Sequence, residues 1–363
     1  MKYRTLSSVA LYAAMQSLGL AQQSVPVDIG VAAPIMLNRD HNGACDIDKD
    51  TRFKAQLDFA FAASVDTPRP WEAIDFTVEP EFYMQAVLTK ALSDNAGIDW
   101  DIGNNPNGWV HAPWMAQDRE PFLGMTQERG SRPHELHPNQ DQSYDNYAFG
   151  IYNSIAADAF RRLWLNPSNP ATNAFLMANG SVGVKLLFTT APTDRVPYLE
   201  NTMSVEFCAD DKPAIGNLVQ LDIAVRDKRA DEWTGWVFGT FVYWGGESDE
   251  FSWDNVRPFT LQWGNDIGLW PQAVDNATDL ALADLPQVKE SWFNQNLQNQ
   301  FAEWRLQEEL RPWTGLFGRA NGPIDNPNSS CLSCHNIAAD FGRGSNQNPV
   351  SYTHLTLPTI YSV

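Results

Sequence analysis

The chain of 363 residues contains 25 lysine and arginine residues against 44 aspartate and glutamate residues, a net charge of −19. Nucleic acids and anionic membranes both bind through a basic face, so this charge disfavours them as partners. Beyond the N-terminal region no run reaches the ~18 apolar residues that cross a bilayer, so we expect no membrane span. The length suffices for one large domain of roughly 200–250 residues and a smaller one.

Residues 1–21 have the pattern of a secretory signal peptide. Lys2 and Arg4 supply a positive start, Leu6–Leu20 is apolar, and Gly19-Leu20-Ala21 offers small residues for cleavage. An ordinary buried N-terminal helix is the alternative. We therefore expect an exported protein, either periplasmic or secreted.

Two cysteines lie outside any motif. In an oxidising compartment Cys45 and Cys208 would pair by elimination into a disulfide, and two buried free thiols are the alternative. The residues after the first of them, Asp46–Asp50, begin like a calcium loop. Thr51 and Leu57 then replace the Gly and Glu that an EF-hand requires, so a solvated acidic turn is favoured.

Residues 22–285 are expected to form a β-rich domain. Strand patterns occur at 182–188, 219–226 and 233–244. The middle strand has the alternation of a half-buried strand, with Val219, Leu221, Ile223 and Val225 between Gln220, Asp222, Ala224 and Arg226. A short helix is predicted at 155–165, where apolar residues recur at helical spacing. The sequence therefore predicts a mainly β, α+β fold with a sandwich-like antiparallel sheet.

Residues 286–349 are expected to hold a helix followed by a cofactor segment. The helix is predicted over 286–310 from one apolar stripe of side chains. A polar, turn-rich run then leads into Cys331-Leu332-Ser333-Cys334-His335, the Cys-x-x-Cys-His pattern of c-type haem attachment. Two thiols at this spacing can form thioethers with the two vinyl groups of one haem, and the adjoining histidine can bind the iron. We expect covalent haem c on Cys331 and Cys334, with His335 as the proximal ligand.

Two other readings of the motif stay open. A thioredoxin-like dithiol would follow a strand, whereas the run from Gly322 to Ser330 has the composition of a loop. A structural zinc site would need a fourth ligand close to the motif.

The distal haem ligand is less well defined. No methionine follows Met203, so the common methionine ligand is missing from this sequence. Residues 98–140 form a long irregular segment with three of the six histidines, which makes His111, His134 and His137 the candidate distal ligands. The pair His134 and His137 also has an i, i+3 spacing, but flanking prolines disfavour the helix a metal pair would need.

The last residues, 350–363, resemble the translation of a sequencing adaptor. We therefore expect a non-native tail, a natural chain that continues past Pro349, and a truncated cytochrome c-like haem segment.

Two stretches, Thr234–Phe241 and Asn321–Pro327 leading to His335, resemble an uncharacterised family of secreted bacterial proteins with a single c-type haem motif. The resemblance implies cofactor roles for Cys331, Cys334 and His335 and brings no established activity with it.

The leading functional hypothesis is a periplasmic mono-haem c-type protein in electron transfer or haem-based redox chemistry, with a redox protein or a small ligand as partner. A secreted carbohydrate- or ligand-binding β-sandwich with an accessory haem is the first alternative. It is suggested by the 14 tryptophans, which a large aromatic core also explains. A peroxidase-like haem enzyme is the second alternative.

Overall fold

The computed structural model describes residues 67–98, 100, 102, 105–111, 125–164, 177–209, 212–245, 249–266, 288–303, 321–325 and 329–332. The predictions for the signal peptide, for Cys45, for Cys334 and His335, and for the tail at 350–363 lie outside these residues.

Nine antiparallel strands in the described ranges form one sheet. Its order is β1-β3-β4-β6-β7-β8-β9, with β2 also paired to β3 and β5 also paired to β6. The strands are β1 Val110–His111, β2 Met125–Ser131, β3 Tyr144–Tyr152, β4 Val182–Thr189, β5 Ser204–Ala209, β6 Lys212–Arg226, β7 Trp236–Tyr243, β8 Val256–Gln262 and β9 Ser291–Phe293. The predicted mainly β, α+β fold is confirmed.

Three α-helices accompany the sheet in the same ranges: α1 Pro80–Asn95, α2 Ser154–Trp164 and α3 Gln295–Glu303. Helix α2 is close to the helix predicted at 155–165. The helix predicted over 286–310 was wrong at its start, because Ser291–Phe293 pairs with β8 as a strand. Asn294 then ends the strand and caps α3, since its side-chain oxygen accepts from the amide of Leu297 at 3.3 Å.

Helix α1 covers one face of the sheet. Its residues Tyr83, Met84 and Leu88 are fully buried. Strand β7 comes so near that a Cβ on Gly239 would lie 3.1 Å from Met84 Cε. The close approach that a glycine within a strand suggests is therefore present here.

A buried polar group ties the same helix to the turn between β6 and β7. The hydroxyl of Tyr83 donates to Asp227 at 3.1 Å, and Arg229 donates to the same carboxylate at 2.6 Å. Burial and the Asp227 charge raise the pKa of Tyr83 well above its ordinary value. Burial opposes ionisation of Asp227, but the hydrogen bonds from Arg229 lower the pKa of that carboxyl overall. Tyr83 is thus a neutral phenol beside the ion pair of Asp227 and Arg229.

The opposite face of the sheet is also covered. This corrects the prediction that strand 219–226 has one buried and one exposed face. Gln220 and Ala224 were expected to face solvent, but they are 1% and 7% exposed. Residues of α2 and of the chain near Leu332 pack over Ala224 on this side. The composition of one strand could not show this, because the covering residues come from distant parts of the sequence.

Strands β5 and β6 form a hairpin, and β5 packs against the rest of the sheet as a sandwich-like second layer. Phe207 of β5 meets Tyr147 of β3 at a ring-centroid distance of 4.6 Å. A Cβ on Gly216 would lie 3.0 Å from both Phe188 and Phe207, so the two layers are in close contact at this glycine.

Among the helices of the described residues, none combines the length and the apolar character needed to cross a membrane.

Candidate haem-attachment site

Residues 321–325 and 329–332, here called the docking segment, lie on the sheet face opposite α1. Gln220 of β6 is a central contact: its Nε2 donates to Asp325 Oδ2 at 2.9 Å, and its Oε1 accepts from the Ile324 amide at 3.2 Å. A Cβ on Gly322 would collide with the Gln220 amide group. A side chain at position 322 would therefore force the Gln220 amide to shift away from its hydrogen bonds to the segment.

Two further side chains anchor the segment. Arg129 of β2 donates from Nη2 to the carbonyls of Ile324 and Asp325 at 2.8 and 3.0 Å. Its guanidinium is held by a two-bond pair with Glu135, with distances of 2.8 and 2.9 Å. Farther along, the Leu332 amide donates to Gln262 Oε1 of β8 at 3.1 Å. The segment is thus fixed at both of its ends by side chains of the sheet.

The docking segment ends at Cys331 and Leu332, which have helical backbone conformation. Leu332 is fully buried in an apolar group, here called the aromatic cluster, and Cys331 is partly buried against it. The cluster consists of Tyr152, Ala156, Ala159, Phe160, Met177, Ala224, Trp236 and Phe238. Residues three apart share a face of a helix, so a helical start suits the Cys-x-x-Cys spacing.

A small cavity lies within the aromatic cluster. It is lined by Tyr152, Ala156, Met177, Ser181, Gly183, Ala224, Trp236 and Phe238. Ser181 Oγ and Trp236 Nε1 are buried and have no hydrogen-bond partner among the described residues. Binding sites for organic cofactors typically combine an apolar wall with a few such polar groups. The cavity, about 10 Å³, has room for about one water molecule and is too small for a porphyrin. The aromatic and aliphatic side chains around Cys331 match the face of a porphyrin in chemical type only.

The structure places only the first cysteine of the motif, because Ser333, Cys334 and His335 lie outside the described residues. The roles of the second thioether cysteine and of the proximal histidine remain predictions from the spacing.

His111 does not share the face that holds Cys331. In β1 it pairs with Ile151, and its ring meets Phe149 edge-on at 4.8 Å. Its neighbour Val110 points the other way and packs against the aromatic cluster. Alternation along a strand thus puts His111 on the α1 side of the sheet. His111 and the docking segment therefore lie on opposite faces of the sheet.

The other two histidines lie in the turn after β2, which also contains Glu135. His134 is exposed, and its Nδ1 lies 2.9 Å from the Pro138 carbonyl. A carbonyl can only accept, so Nδ1 carries a proton, and in the neutral ring Nε2 has the lone pair that a metal needs. His137 has the reverse arrangement, because its Nδ1 accepts from the Asn139 amide at 3.1 Å. Burial lowers the pKa of His137, which favours its neutral form. Of the pair, His134 has the tautomer for ligation through Nε2.

A group of charged side chains borders the docking segment and was missed from sequence. Gln220 Nε2 donates to Asp222 at 2.8 and 3.0 Å as well as to Asp325. Lys185 of β4 pairs with Glu128 of β2 at 3.0 Å. Burial and the Asp325 charge raise the pKa of Asp222 to about 7, and burial raises the pKa of Asp325.

Lys185 remains charged in this setting. Burial opposes its charge, but the carboxylates of Glu128, Asp325 and Asp222 raise its pKa overall. The signal in the sequence was weak. It consisted of Asp222 at the centre of a strand pattern and of Asp325 in a glycine- and proline-rich run.

Comparisons with protein-family models, with curated proteins and with solved structures give no match for this chain. The structure therefore classifies the protein by its fold: it is a mainly β, α+β protein with a segment docked on its sheet.

Proposed function

We propose that this chain is a periplasmic or secreted mono-haem c-type protein that exchanges electrons with a redox partner. Cys331 and Cys334 would carry the haem as thioethers, and His335 would bind the iron. The observation that carries the proposal is the position of Cys331, which lies against an aromatic cluster at the end of an anchored segment.

The residues around Cys331 would hold and shield the group. Trp236, Phe238 and Tyr152 provide apolar surface that keeps water away from one side of the segment. The side chains of Gln220 and Gln262 fix the segment before the cofactor-bearing residues. When bound, the haem supplies one-electron redox chemistry, and the apolar surroundings and hydrogen bonds tune its potential. A fixed attachment point keeps the distance to a docked partner constant.

The net charge of −19 is compatible with a basic redox partner, provided that the acidic residues cluster on one side of the protein. Opposite charges speed the encounter of two proteins, and salt screens the effect over roughly 8 Å at physiological ionic strength. Electron transfer to a basic acceptor is therefore expected to slow as salt increases.

The test is to produce the full chain together with a cytochrome c maturation system and to record its mass and its reduced-minus-oxidised spectrum. We expect the mass of a haem adduct that survives denaturation. The Cys331→Ala variant should lose the normal two-thioether spectrum, whereas Cys208→Ala, the same change outside the motif, should keep it. A colourless product of unmodified mass would refute the proposal.

A second candidate is a haem protein that binds a small molecule, including a peroxidase-like enzyme. Two buried polar atoms in the aromatic cluster, Ser181 Oγ and Trp236 Nε1, have no hydrogen-bond partner in the described part of the chain and favour it. High-spin iron that reacts with peroxide would support this candidate, and six-coordinate low-spin iron would support electron transfer. His134→Ala, with His137→Ala as its control, would show whether the predicted distal histidine is used.

The carbohydrate-binding alternative has less support. No tryptophan whose side chain the structure describes is exposed. Most of them lie in the core, as Trp71, Trp109 and Trp263 do. In the described part of the chain, tryptophan therefore serves packing rather than a stacking surface for sugars.

A further inference from the structure

Two carboxylates from different parts of the chain share a single donor. Asp222 lies in the middle of β6, close to Gln220 on the same strand. Asp325 lies in the docking segment, and 105 positions separate it from Gln220 in sequence. The same Gln220 Nε2 donates to both carboxylates at distances between 2.8 and 3.0 Å. One amide group is all that separates the two acids, so ionisation of one opposes ionisation of the other.

The other charges that face the pair do not balance it. Lys185 of β4 is a nearby cation, and it is already paired with Glu128 of β2 at 3.0 Å. Arg129, also of β2, has its charge matched by Glu135 and reaches only backbone carbonyls of the segment. From β7 the pair receives a neutral hydroxyl, since Thr240 Oγ1 donates to Asp222 at 2.8 Å. With both acids ionised, the group would carry an excess of negative charge.

We propose that Asp222 and Asp325 form a proton-controlled latch, which holds the docking segment on the sheet while the two carboxyl groups retain one proton between them. Loss of that proton leaves two negative charges side by side, and the docking segment loosens. The latch concerns the segment in front of the haem motif but does not depend on haem being attached.

The structure indicates which side of the latch moves. Asp222 is held in β6, which has paired strands on both sides in β4 and β7. Asp325 belongs to a short segment that several side-chain hydrogen bonds hold on the sheet. The two with Gln220, one donated to Asp325 and one accepted from the Ile324 amide, are expected to weaken first. Repulsion between the carboxylates is therefore relieved by movement of the segment, because a paired central strand resists displacement.

Because the pKa of each carboxyl is raised, loosening of the docking segment should occur within a pH range in which the protein can be studied. Burial is the main cause for both residues, and the Asp325 charge adds to it at Asp222, whose pKa rises to about 7. The segment should be most firmly seated in mildly acidic solution and loosen as the pH rises through neutrality.

Hydrogen exchange of the full chain between pH 5.5 and 8.5, corrected for the intrinsic pH dependence of exchange, tests the latch. We expect protection of the Ile324 and Leu332 amides to fall about tenfold across this range. In Asp222→Asn the protection should stay constant, since Asp325 then has no second carboxylate beside it to repel. Protection in β6 serves as the measure that each variant is folded.

A matched control is Asp254→Asn, which changes an exposed acid outside the latch and should leave the loosening intact. If Asp222→Asn does not fold, Asp325→Asn replaces the partner on the segment and should flatten the pH profile equally. Protection that is constant with pH in the unmodified chain, or that falls equally in either latch variant, would overturn the proposal. The same experiment on Cys331→Ala separates this outcome from failure of the haem proposal, because the latch requires no haem.

Discussion

The replacement of Asp222 by Asn should change the pH dependence of global stability. The folded protein raises the pKa of this carboxyl from 3.8 to about 7. The folded state therefore holds a proton that the unfolded chain has already released between these values. Its contribution to stability is complete below about pH 4 and is lost as the pH rises through about 7. The unfolding free energy should consequently fall across this window.

The magnitude follows from the size of the shift. About three pKa units correspond to at most about 4 kcal/mol, since each unit is worth about 1.4 kcal/mol. Asp222 is partly exposed and titrates together with Asp325, so about half of this limit is the better expectation. Asp222→Asn should be near neutral at pH 4.5 and should stabilise the protein by about 2 kcal/mol at pH 8.

Urea unfolding followed by tryptophan fluorescence at pH 4.5, 6 and 8 measures this difference. The slope of the transition should match that of the unmodified chain, so that the shift in midpoint reports stability alone. Asp254→Asn provides the comparison, because this carboxylate is exposed and lies away from Gln220 and the docking segment in sequence. A loss of stability in Asp222→Asn at pH 8, or a difference that does not vary with pH, would refute the reasoning.

Two further substitutions test other contacts. Gly322→Ala would push a methyl group into the Gln220 amide, so we expect a loss of about 1–3 kcal/mol and faster proteolysis of the docking segment; Gly97→Ala, which meets nothing within 4 Å, should have little effect on either measure. Tyr83→Phe removes the hydroxyl that donates to Asp227 and should lower the unfolding free energy in urea by about 1–2 kcal/mol, and an unchanged stability would show that the hydrogen bond contributes nothing.

Predictions from local pattern were reliable where a single element carried the whole pattern. The alternation in 219–226 predicted a strand, and residues 155–165 predicted α2, because both periods reflect which side chains one element turns toward its neighbours. The apolar stripe from Phe293 failed at its start, where pairing with β8 outweighed helical spacing. The stripe was shared between a strand and a helix, and periodicity alone does not mark such a boundary.

The candidate site was predicted only in part. The Cys-x-x-Cys-His spacing is local, so it could be read directly, and Cys331 does lie at an apolar surface. The three histidines could not be ranked from sequence. Strand pairing directs His111 to the α1 side of the sheet, and the hydrogen bonds of the turn set the tautomers of His134 and His137.

The sequence by itself determined the strand pattern, the acidic charge and the cysteine spacing on which the haem proposal rests, because each depends on residues a few positions apart. Only the tertiary structure decided that the polar side of β6 is covered and that Asp222 meets Asp325. Burial and electrostatic neighbours depend on folding residues together across a separation of about a hundred positions. The raised pKa values of Asp222 and Asp325 are therefore a property of the folded chain and not of either local sequence.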